Sequence, residues 1–145
     1  MNFLDIFQSR EAKIRKSHFK NLVRMAAADG RIDREEYDHI VNIAKRYDTT
    51  DKEIDKVLKN PAKIKFIMPD SMEERLEQVQ DLVSVIMITG EIYPNELLVC
   101  KKLARKLGFN DSIVKMLLSE MIDQAKAGEA FKNARARILQ DYRSN

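Results

Sequence analysis

An all-α helical bundle made of two three-helix repeats in pseudo-twofold arrangement, plus terminal helices, is the fold this sequence predicts. Three observations lead to it. Apolar residues recur at three- and four-residue spacing, the period of an amphipathic helix, and no strands of consequence are expected. The stretch Ala26-Ala-Ala-Asp-Gly-Arg-Ile-Asp-Arg-Glu-Glu36 returns as Ile86-Met-Ile-Thr-Gly-Glu-Ile-Tyr-Pro-Asn-Glu96. The offset between the two stays at 60 residues, from Leu22-Val23 and Leu82-Val83 through Gly30 and Gly90 to Asp51 and Asp111, Ile54 and Val114, and Leu58 and Leu118. Two such units can bury their apolar faces on each other, so residues 1–145 read as a single domain. Repeat one covers about 10–60, repeat two about 70–127, and a more basic C-terminal helix about 129–143 follows Gly128.

In chain order, the apolar heptapeptide Met1 to Phe7 precedes a basic helix over about 10–28, and is expected to dock on the body. Gly30 ends that helix, because glycine adopts positive φ without a Cβ clash. Ile32 is expected to plug the corner and Asp33 to cap the next helix, marked by Tyr37, Ile40, Val41, Ala44 and Tyr47. Thr50-Asp-Lys-Glu53 is a capping box opening a short helix with Ile54, Val57 and Leu58 on its inner face, stopped near Asn60-Pro61. Ser71-Met-Glu-Glu74 is a second capping box. The helix it opens is apolar on nearly every face from Leu82 to Ile88, which predicts the centre of the bundle. Gly90 and Ile92 repeat the corner, and Pro94 suits the first position of a helix running to Leu107. Gly108 stops it, and Asn110-Asp111-Ser112 caps a helix bearing Ile113, Val114, Leu117, Leu118, Met121 and Ile122.

Composition narrows the class. The 145 residues are 44% apolar, enough for a core without disulfides or metal staples, and the net charge of +3 does not by itself demand a nucleic-acid partner. The charge is uneven, however. Residues 1–24 hold six basic residues against Asp5 and Glu11, a local excess above that of the whole chain, so this face is a candidate for peripheral contact with acidic lipid or with a protein. Cys100 is the only cysteine and lies on an inner helical stripe, where it reads as a small hydrophobe. No signal segment or apolar run of spanning length is seen, and a cytoplasmic address is expected.

Reaction chemistry is harder to find. His18 and His39 have no serine, cysteine or paired acid at a recognisable spacing, and neither a phosphate loop nor a dinucleotide fingerprint is present, so a non-enzymatic protein is expected. Residues 101–114 imitate a DNA-binding helix-turn-helix, but its second helix is dominated by core residues, and no sequence-specific nucleic-acid binding is expected. Asp29-Gly-Arg-Ile-Asp33 with Glu36 matches the latter half of an EF-hand loop. The first half fails, because Met25 and Ala27 stand where carboxylates are required. What survives is a weak divalent-cation site from Asp29, Asp33 and Glu36, whose oxygens suit calcium or magnesium. The same residues also fit a purely structural role, with Asp33 and Glu36 as a capping box and Asp29 accepting backbone hydrogen bonds; both roles can hold together. A metal-dependent hydrolase using Asp29, Glu36 and Glu96, or a basic-face protein binding membrane or nucleic acid, is the alternative.

The Ala-Ala-Asp-Gly-x-Ile-x-x-x-Glu turn, its partial recurrence and Leu103-Ala-x-x-Leu-Gly-Phe109 together resemble the TerB-like family of bacterial tellurite resistance, over most of residues 10–125. The resemblance implies a two-repeat helical domain and an acidic surface associated with divalent cations. It also implies relatives that act as stress-linked or membrane-proximal interaction modules, one of them attached to a DnaJ-like cochaperone. The first motif matches at Asp29, Gly30, Ile32 and Glu36, and the second at Gly90, Ile92 and Glu96, with Thr89 where its aspartate would be. An unidentified protein partner and a stress-linked role are therefore expected, while tellurite resistance itself does not follow.

Overall fold

The computed structural model describes residues 3–127 and 138–140, with side chains described over 10–123 and 138–140. The described chain is helical, and no strand occurs among the described residues. The elements are α1 (Phe3–Ala26), α2 (Arg34–Arg46), α3 (Asp51–Lys59), a 3-10 turn (Pro61–Lys63), α4 (Met72–Met87), α5 (Pro94–Lys106) and α6 (Asp111–Ala127). The expected C-terminal helix and its Gly128 break lie outside the described residues, apart from a helical piece at 138–140 whose Ile138 and Leu139 are buried.

Local chemistry accounts for most of the boundaries. The Thr50 hydroxyl accepts from the Glu53 amide while the Glu53 carboxylate accepts from the Thr50 amide, closing the capping box that starts α3. The Ser71 hydroxyl accepts from the Glu74 amide at the start of α4. Pro94 occupies the first turn of α5. At the other ends, Gly30, Gly90 and Gly108 take φ of 94°, 82° and 98°. The amide of Gly30 donates to Ala27 O at 2.9 Å, and that of Gly90 to Met87 O at 3.0 Å. A Cβ at either glycine would meet nothing within 4 Å, so only backbone strain opposes a side chain there. Gly30→Ala and Gly90→Ala will each destabilise by about 1–2 kcal/mol. Paired thermal melts check this, and a rise in Tm for both variants would refute the strain.

α1 packs against α2, α3, α4 and α5, and α4 against α1, α2, α5 and α6, so these two helices form the middle of the bundle. On α4, Leu76, Val79, Leu82, Val83, Val85 and Ile86 have essentially no exposed surface. The apolar run is thus buried from Leu82 to Ile86 except at half-buried Ser84, as predicted, but Met87 is only partly buried, and Ile88, 41% exposed and past the helix end, is not wrapped by neighbours. They meet Phe19, Leu22 and Met25 of α1, Ile40 of α2, Cys100 and Leu103 of α5, and Val114 and Leu117 of α6 in one core. Each methylene buried there is worth about 0.8 kcal/mol.

From Phe3 onward the apolar heptapeptide forms the first turns of α1, and its expected docking falls on side chains outside those described. Three other expectations are corrected. Leu58 is 43% exposed rather than on the inner face of α3; only Ile54 and Val57 of that helix turn inward. Ile92, also 43% exposed, does not plug the second corner, whereas Ile32 packs partly buried against the core at the first. Ile122, 36% exposed, lies at the margin of the α6 core stripe rather than within it.

Candidate functional site

The two glycine corners bring the starts of α2 and α5 together. Each helix places a glutamate at its third residue, Glu36 in one and Glu96 in the other, and both side chains turn inward to 2% exposure. Their carboxyls share a hydrogen bond, which two carboxylates can make only by holding a proton between them. No donor from the protein reaches Oε2 of either residue. Burial first, then the hydrogen bond and negative charge of Glu36, push Glu96 up to about 8; burial also raises Glu36, with the negative charges of Asp33 and Asp29 adding to it. Like charges in a low-dielectric site cannot both ionise, so the pair retains one proton near neutrality.

The three predicted ligands fall around this pair unequally. Glu36 is half of it. Asp33 stands at the N-cap position of α2 with extended backbone (φ −67°, ψ 147°), yet its side chain makes no cap hydrogen bond, and its carboxyl interacts with that of Glu36 instead. The expected Asp33–Glu36 capping box therefore does not form: Glu36 is drawn towards Glu96 and cannot reach back to the N-cap amide. Asp29 is exposed, and its Oδ1 accepts from Asn95 Nδ2 at 2.8 Å, a bond that ties the first corner to the start of α5. Among the described residues no three histidine, cysteine, aspartate or glutamate side chains close on one point as a metal cage. The arrangement is a two-carboxylate nucleus with two further acids near it, able to hold a proton.

A second polar cluster was invisible in the sequence. His18 Nε2 lies 2.8 Å from Asp81 Oδ2, across 63 residues, and the Tyr47 hydroxyl donates to the same oxygen at 2.7 Å. Arg46 pairs with Asp81 Oδ1, and its guanidinium lies 5.2 Å from the Tyr47 ring. The His18 ring meets Tyr47 edge-on, with centroids 5.3 Å apart. His39 Nε2 lies 2.9 Å from Ser84 Oγ, whose own proton goes to the Asp81 carbonyl at 2.7 Å, so the imidazole is the donor. The acid and the serine lie 63 and 45 residues away, outside any spacing at which the sequence shows a partner for either histidine. Burial alone would raise the Asp81 carboxyl, but His18, Arg46 and Tyr47 outweigh it and hold Asp81 below the usual carboxylate range. Burial and the adjacent Asp81 charge push the Tyr47 phenol up, and burial pushes the His39 imidazole down.

Cys100 is fully buried and burial pushes its thiol up to about 12, which makes it a packing residue rather than a nucleophile at neutral pH. No described helix is long and apolar enough to cross a membrane. No family model matches the chain, and neither a curated protein nor a solved structure matches it.

Proposed function

We propose that the chain is a non-enzymatic, TerB-like interaction module of the cytoplasm, linked to stress, in which the paired acidic corners form a weak divalent-cation site. The observation that carries this reading is the Glu36–Glu96 pair: two buried carboxyls from equivalent positions of two helices, with no protein donor at Oε2 of either. Asp29, Asp33 and Glu36 are its acids from the first corner, and Glu96 is added from the second. The proposed pseudo-twofold repeat is supported by backbone bonds that recur 60 residues on: Tyr37 N to Asp33 O and Leu97 N to Tyr93 O, both 3.0 Å, and Thr49 N to Ala44 O (3.0 Å) and Phe109 N to Ala104 O (2.9 Å). It is supported too by α2 and α5, which begin and end at matching positions. An exposed acidic rim of Asp29 and Glu35 around the pair suits a protein partner whose contact the cation would adjust.

A cation would have to displace the shared proton, so binding is weak and pH-dependent. Calorimetric titration with calcium and with magnesium will give a Kd of roughly 10⁻⁴ to 10⁻³ M, tightening as pH rises towards 8. Asp29→Asn and Glu36→Gln will both weaken it. Absence of heat or thermal shift at millimolar ion, at pH 6 and at pH 8.5 alike, would sink the cation site and leave the corners as structure.

A further inference from the structure

We infer that the groove between α1 and the segment after the 3-10 turn binds a phosphate-bearing anion. The groove has a volume of about 270 Å³ and is lined by Lys13 and Lys16 of α1, by Lys63 and Lys65, and by Ile64 and Ile67. Lys13 and Lys16 are three residues apart and share a helical face. The opposite wall is fixed in place, because the Ile67 amide donates to Ser17 Oγ at 2.9 Å and Lys20 Nζ donates to Ile64 O at 2.6 Å. Lys63 and Lys65 are exposed while Ile64, Phe66 and Ile67 are partly buried, so the packing of this segment sends its ammonium groups outward. Lys106, 5.4 Å from the Phe66 ring, adds positive charge to the same segment.

What distinguishes these lysines is that four of them line one groove. Several cations outside it are matched by acids: Arg10 with Asp70, Arg15 with Glu53, Lys45 with Asp51, Arg46 with Asp81 and Arg105 with Asp111. Among the described residues no ion pair involves Lys13, Lys16, Lys63 or Lys65, and Asp70, Glu53 and Asp81, acids that α1 reaches, are already held by Arg10, Arg15, His18 and Arg46. Four like charges around one groove repel one another, and an anion with several charges on neighbouring centres relieves that repulsion better than single carboxylates do. Ammonium groups act as point charges that accept phosphate oxygens from many directions, and the two isoleucines supply an apolar floor for the uncharged part of a ligand. The chemistry fits either a free oligophosphate or the headgroup of an anionic phospholipid, and it is independent of the acidic corners.

The test has two arms at low ionic strength: calorimetric titration with inorganic tripolyphosphate, and co-sedimentation with phosphatidylcholine vesicles with and without phosphatidylglycerol. Wild type, Lys13→Gln/Lys16→Gln, Lys63→Gln/Lys65→Gln and a control, Lys102→Gln/Lys115→Gln, are compared after circular dichroism confirms their helicity. Both groove variants will weaken binding by at least about tenfold while the control stays within about twofold. That pattern with tripolyphosphate supports the site with a free anion as its ligand; the same pattern only with phosphatidylglycerol vesicles supports it with a membrane headgroup. Binding in neither arm, or equal loss in the control, would overturn the inference.

Discussion

Asp81→Ala will cost about 3–5 kcal/mol of stability, the range seen when one member of a buried charged network is removed and its partners stay behind. The loss follows from what is stranded: His18 Nε2, the Tyr47 hydroxyl and the Arg46 guanidinium all lose their acceptor at once. Urea unfolding measures it. Should the alanine variant prove too unstable to purify, Tyr47→Phe removes one bond of the set and will cost about 1 kcal/mol. The sign of the pH dependence follows from the lowered Asp81 value. Its stabilisation is present above the ordinary carboxylate range and is lost as pH falls through the folded value, so wild type and variant will converge in acid. Equal stability of wild type and Asp81→Ala at pH 7 would show that the network is a bystander.

Glu96→Gln will stabilise the protein in alkali, with the opposite pH profile. The folded carboxyl is pushed up to about 8 from the ordinary glutamate value of 4.5, so over that window the folded state holds a proton that the unfolded chain has released. Wild-type stability therefore falls as pH rises from about 4.5 to 8 and levels off above it. Glutamine stands in for the protonated acid, can donate to Glu36, and does not titrate. In the presence of chelator the variant will gain on the order of 2–4 kcal/mol over wild type by pH 8.5, and little at pH 4.5. Parallel stability curves for the two proteins would show that the carboxyls do not share a proton.

How much of this was legible beforehand depended on sequence distance. The Gly30 and Gly90 corners, the Thr50–Glu53 box and the apolar run of α4 could be read because each is decided by residues within one or two turns of itself. Leu58 and Ile92 were misjudged for the converse reason: which side of a short helix or corner faces inward is set by neighbours that periodicity does not name. The Glu36–Glu96 pair lay half in view. The 60-residue offset marked the two glutamates as equivalent, but that equivalent positions meet face to face is a property of how the helices dock. Nothing local announced that His18 would find Asp81 or that His39 would find Ser84. A buried aspartate within the most apolar helix was the available signal, since a charge in such a place requires partners.

The position of α1 also bears on how the molecule comes to be made. This helix is made before the other described helices, yet it rests on α4 and α5 as well as on α2 and α3, so half of these partners are synthesised only after the 3-10 turn has passed. Until then Phe19, Leu22 and Met25 have no complete surface to cover them, and the nascent first half carries an apolar stripe that only the second half can close. The two halves consequently make a poor pair of separable modules. A chain cut in the loop after the 3-10 turn holds two incomplete surfaces, each of which is the missing wall of the other.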